Sequence, residues 1–380
     1  MDFNFTREHE FVKQMVKEFA EKELKPIVAE CDEKGEFPME AYKKLGKHGI
    51  IGLPFPKEYG GAGGDYLSYI LAVEEVSKVC GSTGIAYSVN TSLCAGAIYQ
   101  NGTEEQKKKY LPDIATGRKI GSFGLTEPNA GTDAGAGQTV AVKDGDNYIL
   151  NGQKIFITNS PIADTFVIFA ITDKSKGVKG LSAFIVEKSF PGISIGKVEN
   201  KMGIRSAQVG EVILEDCVVP AENLLGGKEG KGFSVAMKTL DGGRIGVGAQ
   251  ALGIAEGAFE EAKQYMKERK QFGKALYKNQ GLAWRMAEMD LRIEQARYLL
   301  YKAAMDKNNG SPYSVSAARA KWACSDAAMY VTTEAVQLFG GYGFMKDYPV
   351  ERMMRDAKIT QIYEGTNEVQ RMVISGDIFK

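Results

Sequence analysis

The stretch from Gly232 to Lys270, GFSVAMKTLDGGRIGVGAQALGIAEGAFEEAKQYMKERK, holds no proline and reads as one long helix. It carries Gly242, Gly243, Gly246, Gly248, Gly253 and Gly257. A glycine in a helix interior costs about 1 kcal/mol relative to alanine, so six in one helix need a reason. Close backbone approach by a neighbouring helix or by a ligand is the usual one. AWRMAEMDLRIEQARYLLYKAAM and SVSAARAKWACSDAAMYVTTEAVQLF add two long amphipathic helices, which predicts a bundle from residue 231 to the end.

The remainder divides in two. Residues 1–121 read as helical: Phe11, Met15 and Phe19, with Val12 and Val16, predict an apolar helix face. Thr103 with Gln106 has the form of a capping box, and GIAYSVNTSLCAGAIY is a helix of small apolar residues. Over 122–230 the period drops to two. TVAVKDGDNYILNGQKIFIT, TFVIFAITD, LSAFIVEK, GISIGKV and GEVILEDCVV read as short strands, with Asp144-Gly145 and Asn151-Gly152 as hairpin turns. The predicted class is α+β: an all-α domain at 1–121, a β-barrel or sandwich at 122–230, and a C-terminal helical bundle at 231–380.

Composition removes several functions. Lys+Arg and Asp+Glu are both 48, so net charge is zero and nucleic acid is not an expected partner. No apolar run is long enough to span a membrane, and MDFNFTREHEF lacks the apolar segment of a signal peptide, so a cytoplasmic location is expected. The five cysteines are widely spaced, as free thiols in a reducing compartment are. With only His9 and His48, a Ser-His-Asp triad or a histidine-rich metal site is not expected, and no metal is assigned. An acid–base enzyme of this composition would use a carboxylate.

One carboxylate is placed for that work. In KITQIYEGTNEVQ, Glu364 sits where one apolar helical pattern stops and another begins, with Asn367 and Gln370 as the cap of the second. On local grounds Glu364 is also readable as a surface charge at a helix end. GGAGGD and GGKEGKG match neither common nucleotide fingerprint and read as loops. LTEPNAGTDAGAG is also a loop by composition, although its N–H and O–H donors suit a polar ring or phosphate.

LTEPNAGTD, NGQKIFITN, DGGR, ERKQFG, QLFGGYG and IYEGTNEVQ occur together and in order. Over essentially the whole chain this set resembles the acyl-CoA dehydrogenase family, most closely its short-chain, butyryl-CoA branch. The resemblance implies non-covalent FAD between the β domain and the C-terminal helices, and a homotetramer in which each FAD also touches a neighbouring subunit. It implies oxidation of a short-chain acyl-CoA to its trans-2-enoyl-CoA, or the reverse reduction. Electrons would be exchanged with an electron-transferring flavoprotein, within a bifurcating complex in some anaerobes. A bulkier thioester such as an aryl-acryloyl-CoA, and a non-catalytic acyl-CoA-binding scaffold, stay open as alternatives. SAQVGEV, Ser206 to Val212, departs from the Ser/Thr-richer butyryl pattern and leaves the acyl chain undetermined.

By match to the motifs, the base is Glu364, whose backbone N–H and a ribityl hydroxyl of FAD would hold the thioester oxygen. FAD-contacting positions would be Phe123, Leu125, Thr126, Thr132, Phe156, Thr158, Arg269, Phe272, Gln280, Gln337, Gly340, Gly341, Thr366 and Glu368, the adenine-side contacts lying across a subunit boundary. Substrate would meet Thr132, Asp241, Arg244 and Gly365. Without the resemblance, Phe156 and Phe272 read as core residues and Arg244 as a helix salt bridge. Isovaleryl-type relatives carry their base at the position of Gly243, which is empty of a carboxylate here. Tyr87, Leu93, Cys94 and Ile98 are candidates to line the acyl pocket.

Overall fold

The structure, a computed structural model, describes residues 5–380; residues 1–4, which open the MDFNFTREHEF stretch, lie outside it. The N-terminal helices are α1 (Arg7–Phe19), α2 (Val28–Lys34), α3 (Met39–Lys47), α4 (Tyr66–Val79), α5 (Gly81–Ser88), α6 (Gly96–Asn101) and α7 (Glu104–Ala115). α1 buries His9, Val12, Val16 and Phe19, while Phe11 is turned out and 67% exposed, so the predicted apolar face is rotated by one residue. His9 closes the α1 capping box with Thr6 and contacts Asp65 at 3.0 Å, a structural role. Thr103 and Gln106 form the predicted capping box of α7. Between α5 and α6 the chain widens into a π-helical stretch, Val89–Ala95, which no periodicity announced. Such stretches cluster at functional sites.

The middle of the chain forms one seven-stranded sheet from β1 (Gly121–Gly124), β2 (Val140–Asp144), β3 (Asn147–Thr158), β4 (Thr165–Ile171), β5 (Leu181–Glu187), β6 (Ile193–Val198) and β7 (Val209–Pro220). β1 pairs parallel with β4, whereas β3 pairs antiparallel with β2 and β7. Gly145, at φ 55°, makes the β2–β3 hairpin turn as predicted. Asn151-Gly152 does not turn the chain. It lies inside β3, where the register to β7 shifts and Thr139 packs too close to Gly152 for a Cβ. A bulge absorbs the glycine that alternation alone assigned to a turn.

C-terminal to the sheet come α8 (Gly232–Glu268), α9 (Gln280–Asn308), α10 (Ser314–Phe339), α11 (Val350–Ile359) and α12 (Asn367–Ile378), with a small β8 (Lys270–Gln271)–β9 (Lys274–Ala275) hairpin after α8. α8 is unbroken and packs against α4, α9 and α10. Its glycines have separate tasks. A Cβ on Gly253 would meet the Glu74 carbonyl at 2.2 Å, and one on Gly257 the Lys78 carbonyl at 2.2 Å, so α4 rests directly on the α8 backbone. Among the described residues all five cysteines are free, and no helix is long and apolar enough to cross a membrane.

Candidate active site

Glu364 lies on the turn between α11 and α12 with φ 56°. A left-handed backbone at a non-glycine residue costs of order 1–3 kcal/mol and persists only when its surroundings enforce it. The next residue, Gly365, is also left-handed at φ 88°. Thr366, and not Asn367, caps α12, its Oγ1 accepting from the Val369 N–H at 3.4 Å. Asn367 is displaced from the cap because its side chain is buried in contacts to α10. Gln370 reaches back as expected of its position, donating Nε2 to the Gly365 carbonyl at 2.8 Å.

The Glu364 side chain turns inward. Its Oε2 is out of contact with solvent and has no hydrogen-bond partner among the described residues. A Cβ on Gly243 would fall 2.7 Å from that oxygen and 2.7 Å from Leu93 Cδ2. Gly243 is therefore the space that the carboxylate occupies, and Leu93, on the π-helical stretch, is its apolar neighbour. Burial pushes the Glu364 carboxyl up to about 7, with Arg244 and Lys321 opposing the shift. Arg244 is buried and pairs with Asp241 at 2.5 Å, three residues earlier, so the helix salt bridge is present. Its Nε has no hydrogen-bond partner among the described residues. Ser314 also donates to Asp241, at 3.0 Å.

Of the other pocket candidates, Tyr87 is engaged elsewhere, its hydroxyl donating to the Ile50 carbonyl at 2.7 Å. Cys94 packs against Gly121 and the Thr165 carbonyl, on the sheet side. Ile98 is fully buried in the apolar cluster shared by the helices and the sheet.

β1 joins this cluster to the sheet: the Gly121 N–H donates to Asn90 Oδ1 at 2.7 Å, on the same π-helical stretch as Leu93. Phe123 on β1 is buried, edge-to-face with Phe169 at 5.0 Å. Leu125, Thr126 and Thr158 are half-buried beside it, and Thr132 is exposed on the loop that follows. That loop is fixed by an ion pair that sequence reasoning missed. Lys154 on β3 meets Glu127 at 2.6 Å, both side chains buried, and Glu127 also accepts from the Gln138 and Thr139 N–H groups at 2.5 and 3.1 Å. The pair ties LTEPNAGTD to NGQKIFITN. Its signal was available: Lys154 shares the buried parity of Tyr148 and Leu150 on β3.

Phe156 and Phe272 are not core residues. They are 62% and 96% exposed, at φ 57° and 52°. Among the described residues the non-glycine positions with positive φ are Phe156, Asn159, Ile204, Asp216, Phe272 and Glu364. Half of them are candidate site residues, where strained backbone is expected to concentrate.

Arg269, Gln280, Gln337, Gly340 and Gly341 are exposed, with Arg269 over the Tyr342 ring at 5.3 Å. Along α8, Arg269 lies ~39 Å from Gly243 at 1.5 Å per residue. One chain does not bring these residues to Glu364. Thr366 is spent on its cap, and Glu368 is exposed and paired with Arg371 at 2.9 Å.

A cavity of about 1350 Å³ lies elsewhere, walled by α1, α2, α4, α8, α9 and α11; Lys13, Glu75, Lys78, Glu256, Arg297 and Arg352 line it and Glu364 does not. Its charges offset one another, as in Lys78 with Glu75 at 2.8 Å and Glu256 at 2.7 Å.

Comparison with known proteins agrees with this architecture. The family descriptions "Acyl-CoA dehydrogenase, N-terminal domain", "middle domain" and "C-terminal domain" match residues 6–118, 122–217 and 230–379. The chain is 69% identical over 380 residues to the short-chain specific acyl-CoA dehydrogenase of Clostridium acetobutylicum, covering all of both chains. Butyryl-CoA dehydrogenase from Megasphaera elsdenii superposes with a TM-score of 0.98 at 55% identity, again over both full chains. A solved chain described as "Electron transferring flavoprotein of Acidaminococcus fermentans: Towards a mechanism of flavin-based electron bifurcation" gives a TM-score of 0.99 at 60% identity and full coverage of both. With an interior carboxylate on the α11–α12 turn and three family matches spread along its length, this chain is an enzyme of the acyl-CoA dehydrogenase family.

Proposed function

We propose that the chain interconverts a short-chain acyl-CoA and its trans-2-enoyl-CoA, with Glu364 as the base. The observation that carries this reading is the Glu364 carboxylate itself: its Oε2 is out of contact with solvent and has no hydrogen-bond partner among the described residues, and burial pushes the group up to about 7. A base poised near the working pH is what abstraction of a weakly acidic α proton needs. The backbone N–H of Glu364 donates to no described residue, so it is free to hold the thioester oxygen as enolate charge develops. Leu93 Cδ2 and Glu364 Oε2 both lie 2.7 Å from where a Cβ on Gly243 would stand, so Leu93 crowds the apolar side of the carboxylate, which supports a short acyl chain. Arg244, which faces the carboxylate, and its partner Asp241 are with Thr132 and Gly365 the proposed contacts to the thioester and CoA.

The residues fit FAD. The exposed Phe156 ring stands where the register of β3 to β7 breaks, and the neighbouring Ile155 N–H donates to the Thr126 carbonyl at 3.0 Å, which supports Phe123, Leu125, Thr126, Thr132, Phe156 and Thr158 as the flavin contacts of the sheet side. Thr366 and Glu368 adjoin on the base side. When bound, FAD supplies the acceptor for the β hydrogen. Arg269, Phe272, Gln280, Gln337, Gly340 and Gly341 would serve the flavin of a neighbouring copy, since the length of α8 separates them from their own Glu364. A homotetramer supplies that copy, and the exposure of Phe272, Tyr342 and Phe344 supports burial there. The similarity to the Acidaminococcus chain supports an electron-transferring flavoprotein as electron partner, in a bifurcating complex.

Anaerobic titration of the FAD-loaded protein with butyryl-, octanoyl-, isovaleryl- and 3-arylpropionyl-CoA tests this. The flavin should bleach with butyryl-CoA at the lowest concentration. No bleaching by any thioester would overturn the reading.

A further inference from the structure

The turn that carries Glu364 is latched at both ends to α10. At its entrance, Gln361 donates Nε2 to Asp326 Oδ1 at 2.7 Å. At its exit, Asn367 donates Nδ2 to the same oxygen at 2.9 Å and pairs with Ser325 Oγ at 3.0 Å. The Asn367 N–H donates to the Gln361 carbonyl at 3.0 Å, closing the loop. The last member of the latch is Lys321, whose Nζ donates to Asn367 Oδ1 at 2.9 Å.

Lys321 is fully buried. It occupies the inward stripe of α10 with Ala317, Cys324, Ala328 and Val331, where an apolar residue would serve packing alone. No carboxylate among the described residues lies within 4.0 Å of its ammonium, and burying a cation without an ion pair is costly. The charged groups facing it are Glu364 on the turn, Arg244 on α8, Asp326 on α10 and Glu368 on α12. Those facing Glu364 are Arg244 and Lys321, with the Tyr69 and Tyr363 hydroxyl groups nearby. Arg244 is shared with Asp241 at 2.5 Å, whereas Lys321 has no carboxylate of its own among the described residues.

We propose that Lys321 is a positioning residue for the base: through Asn367 it fixes the exit of the Glu364 turn, and its charge favours the ionised carboxylate. This rests on the reading of Glu364 as the base. The electrostatics run the same way. Burial pushes Glu364 up to about 7 and Lys321 down to about 7, and each, when charged, favours the charged form of the other. The latch draws Gln361 and Asn367 onto one carboxylate, and the left-handed φ of Glu364 lies on the turn that it closes.

The test is anaerobic rapid mixing of FAD-loaded variants with butyryl-CoA between about pH 5.5 and 9. Lys321→Met should keep FAD and hold butyryl-CoA within about threefold of the parent. It should reduce flavin roughly tenfold or more slowly, with the acid limb displaced to higher pH. Lys321→Gln keeps a donor for Asn367 without the charge; it should recover part of the rate and none of the displaced limb. Asp326→Ala, at an exposed residue, should slow reduction severalfold and displace the limb less than Lys321→Met does, since Asp326 acts on the base only through Lys321. Parental rate and pH profile in these variants would overturn the proposal. If Lys321→Met fails to hold FAD, Lys321→Gln and Asp326→Ala decide by the same criteria. Glu364→Gln measured alongside separates the two claims. Fast reduction there removes the base assignment, whereas slow reduction there with parental Lys321 variants removes only the role of Lys321.

Discussion

Gly243 and Glu364 fit together as hole and peg: a single methyl on the α8 glycine would lie 2.7 Å from the carboxylate oxygen of the turn residue. The crowding falls on two mobile side-chain ends, Glu364 Oε2 and Leu93 Cδ2, and not on backbone.

Gly243→Ala should therefore fold. Alanine recovers up to about 1 kcal/mol of helix propensity, and side-chain displacement offsets part of it, so thermal stability should stay near that of the parent. The displaced carboxylate should cost roughly 10²-fold in kcat, since misplacement by about 1 Å has that effect. Thermal unfolding and steady-state kinetics on the same sample check both halves.

Gly253→Ala and Gly257→Ala should behave oppositely. Their added methyl groups meet the Glu74 and Lys78 carbonyls at 2.2 Å, which are backbone of α4 and cannot swing aside. Each should destabilise by about 1–3 kcal/mol, the usual cost of overpacking, with turnover per folded molecule near parental. Urea titration gives the first quantity and activity per bound FAD the second.

The buried pair of Lys154 and Glu127 should matter for cofactor retention more than for chemistry. Glu127→Ala leaves a buried ammonium unpaired and frees the Gln138 and Thr139 N–H groups. About 3–5 kcal/mol of stability should be lost, and the loop carrying Thr126 and Thr132 should loosen. Chemical unfolding and the FAD-to-protein ratio after gel filtration measure this.

The position of the Glu364 titration has two consequences of known sign. Proton abstraction needs the ionised form, so kcat/KM should rise with pH through about 7. Stability moves the other way. A carboxyl raised from its ordinary 4.5 to about 7 on folding favours the native state only while protonated, so its contribution fades as pH climbs between those values. Glu364→Gln should gain stability relative to the parent on going from pH 4.5 to 8, as thermal melts in matched buffers would report.

Leu93 should set chain length, because it borders the carboxylate while Tyr87 and Cys94 are committed elsewhere. Leu93→Ala should raise kcat/KM for hexanoyl- relative to butyryl-CoA by roughly tenfold, the scale on which a methylene is discriminated in an apolar site. A thioester panel measures the ratio.

Much of this molecule could be read from its residues, and the failures share a physical cause. The long glycine-bearing α8, the alternating strands and the Thr103 cap follow from local periodicity and hydrogen-bonding groups, which act within a few residues. Asn151-Gly152 was misread because an Asn-Gly pair serves a bulge as readily as a turn, and only the pairing of β3 with β7 decides. Asn367 lost the cap to Thr366 because Lys321, Ser325 and Asp326, far away in sequence, claim its side chain. Periodicity carried an unread signal for Lys321, a cation spaced four residues from Ala317 and three from Cys324 on an otherwise apolar stripe. Spacing along the chain cannot show that Gly243 faces Glu364, because that meeting belongs to the packing of α8 against the α11–α12 turn.

The central claim is that Glu364 removes the proton, and Glu364→Gln tests it most directly. Loaded with FAD and mixed anaerobically with butyryl-CoA, this variant should retain its cofactor and bind the thioester. Its flavin should reduce ~10²–10⁴-fold more slowly than the parent's. Bleaching at the parental rate would contradict the account.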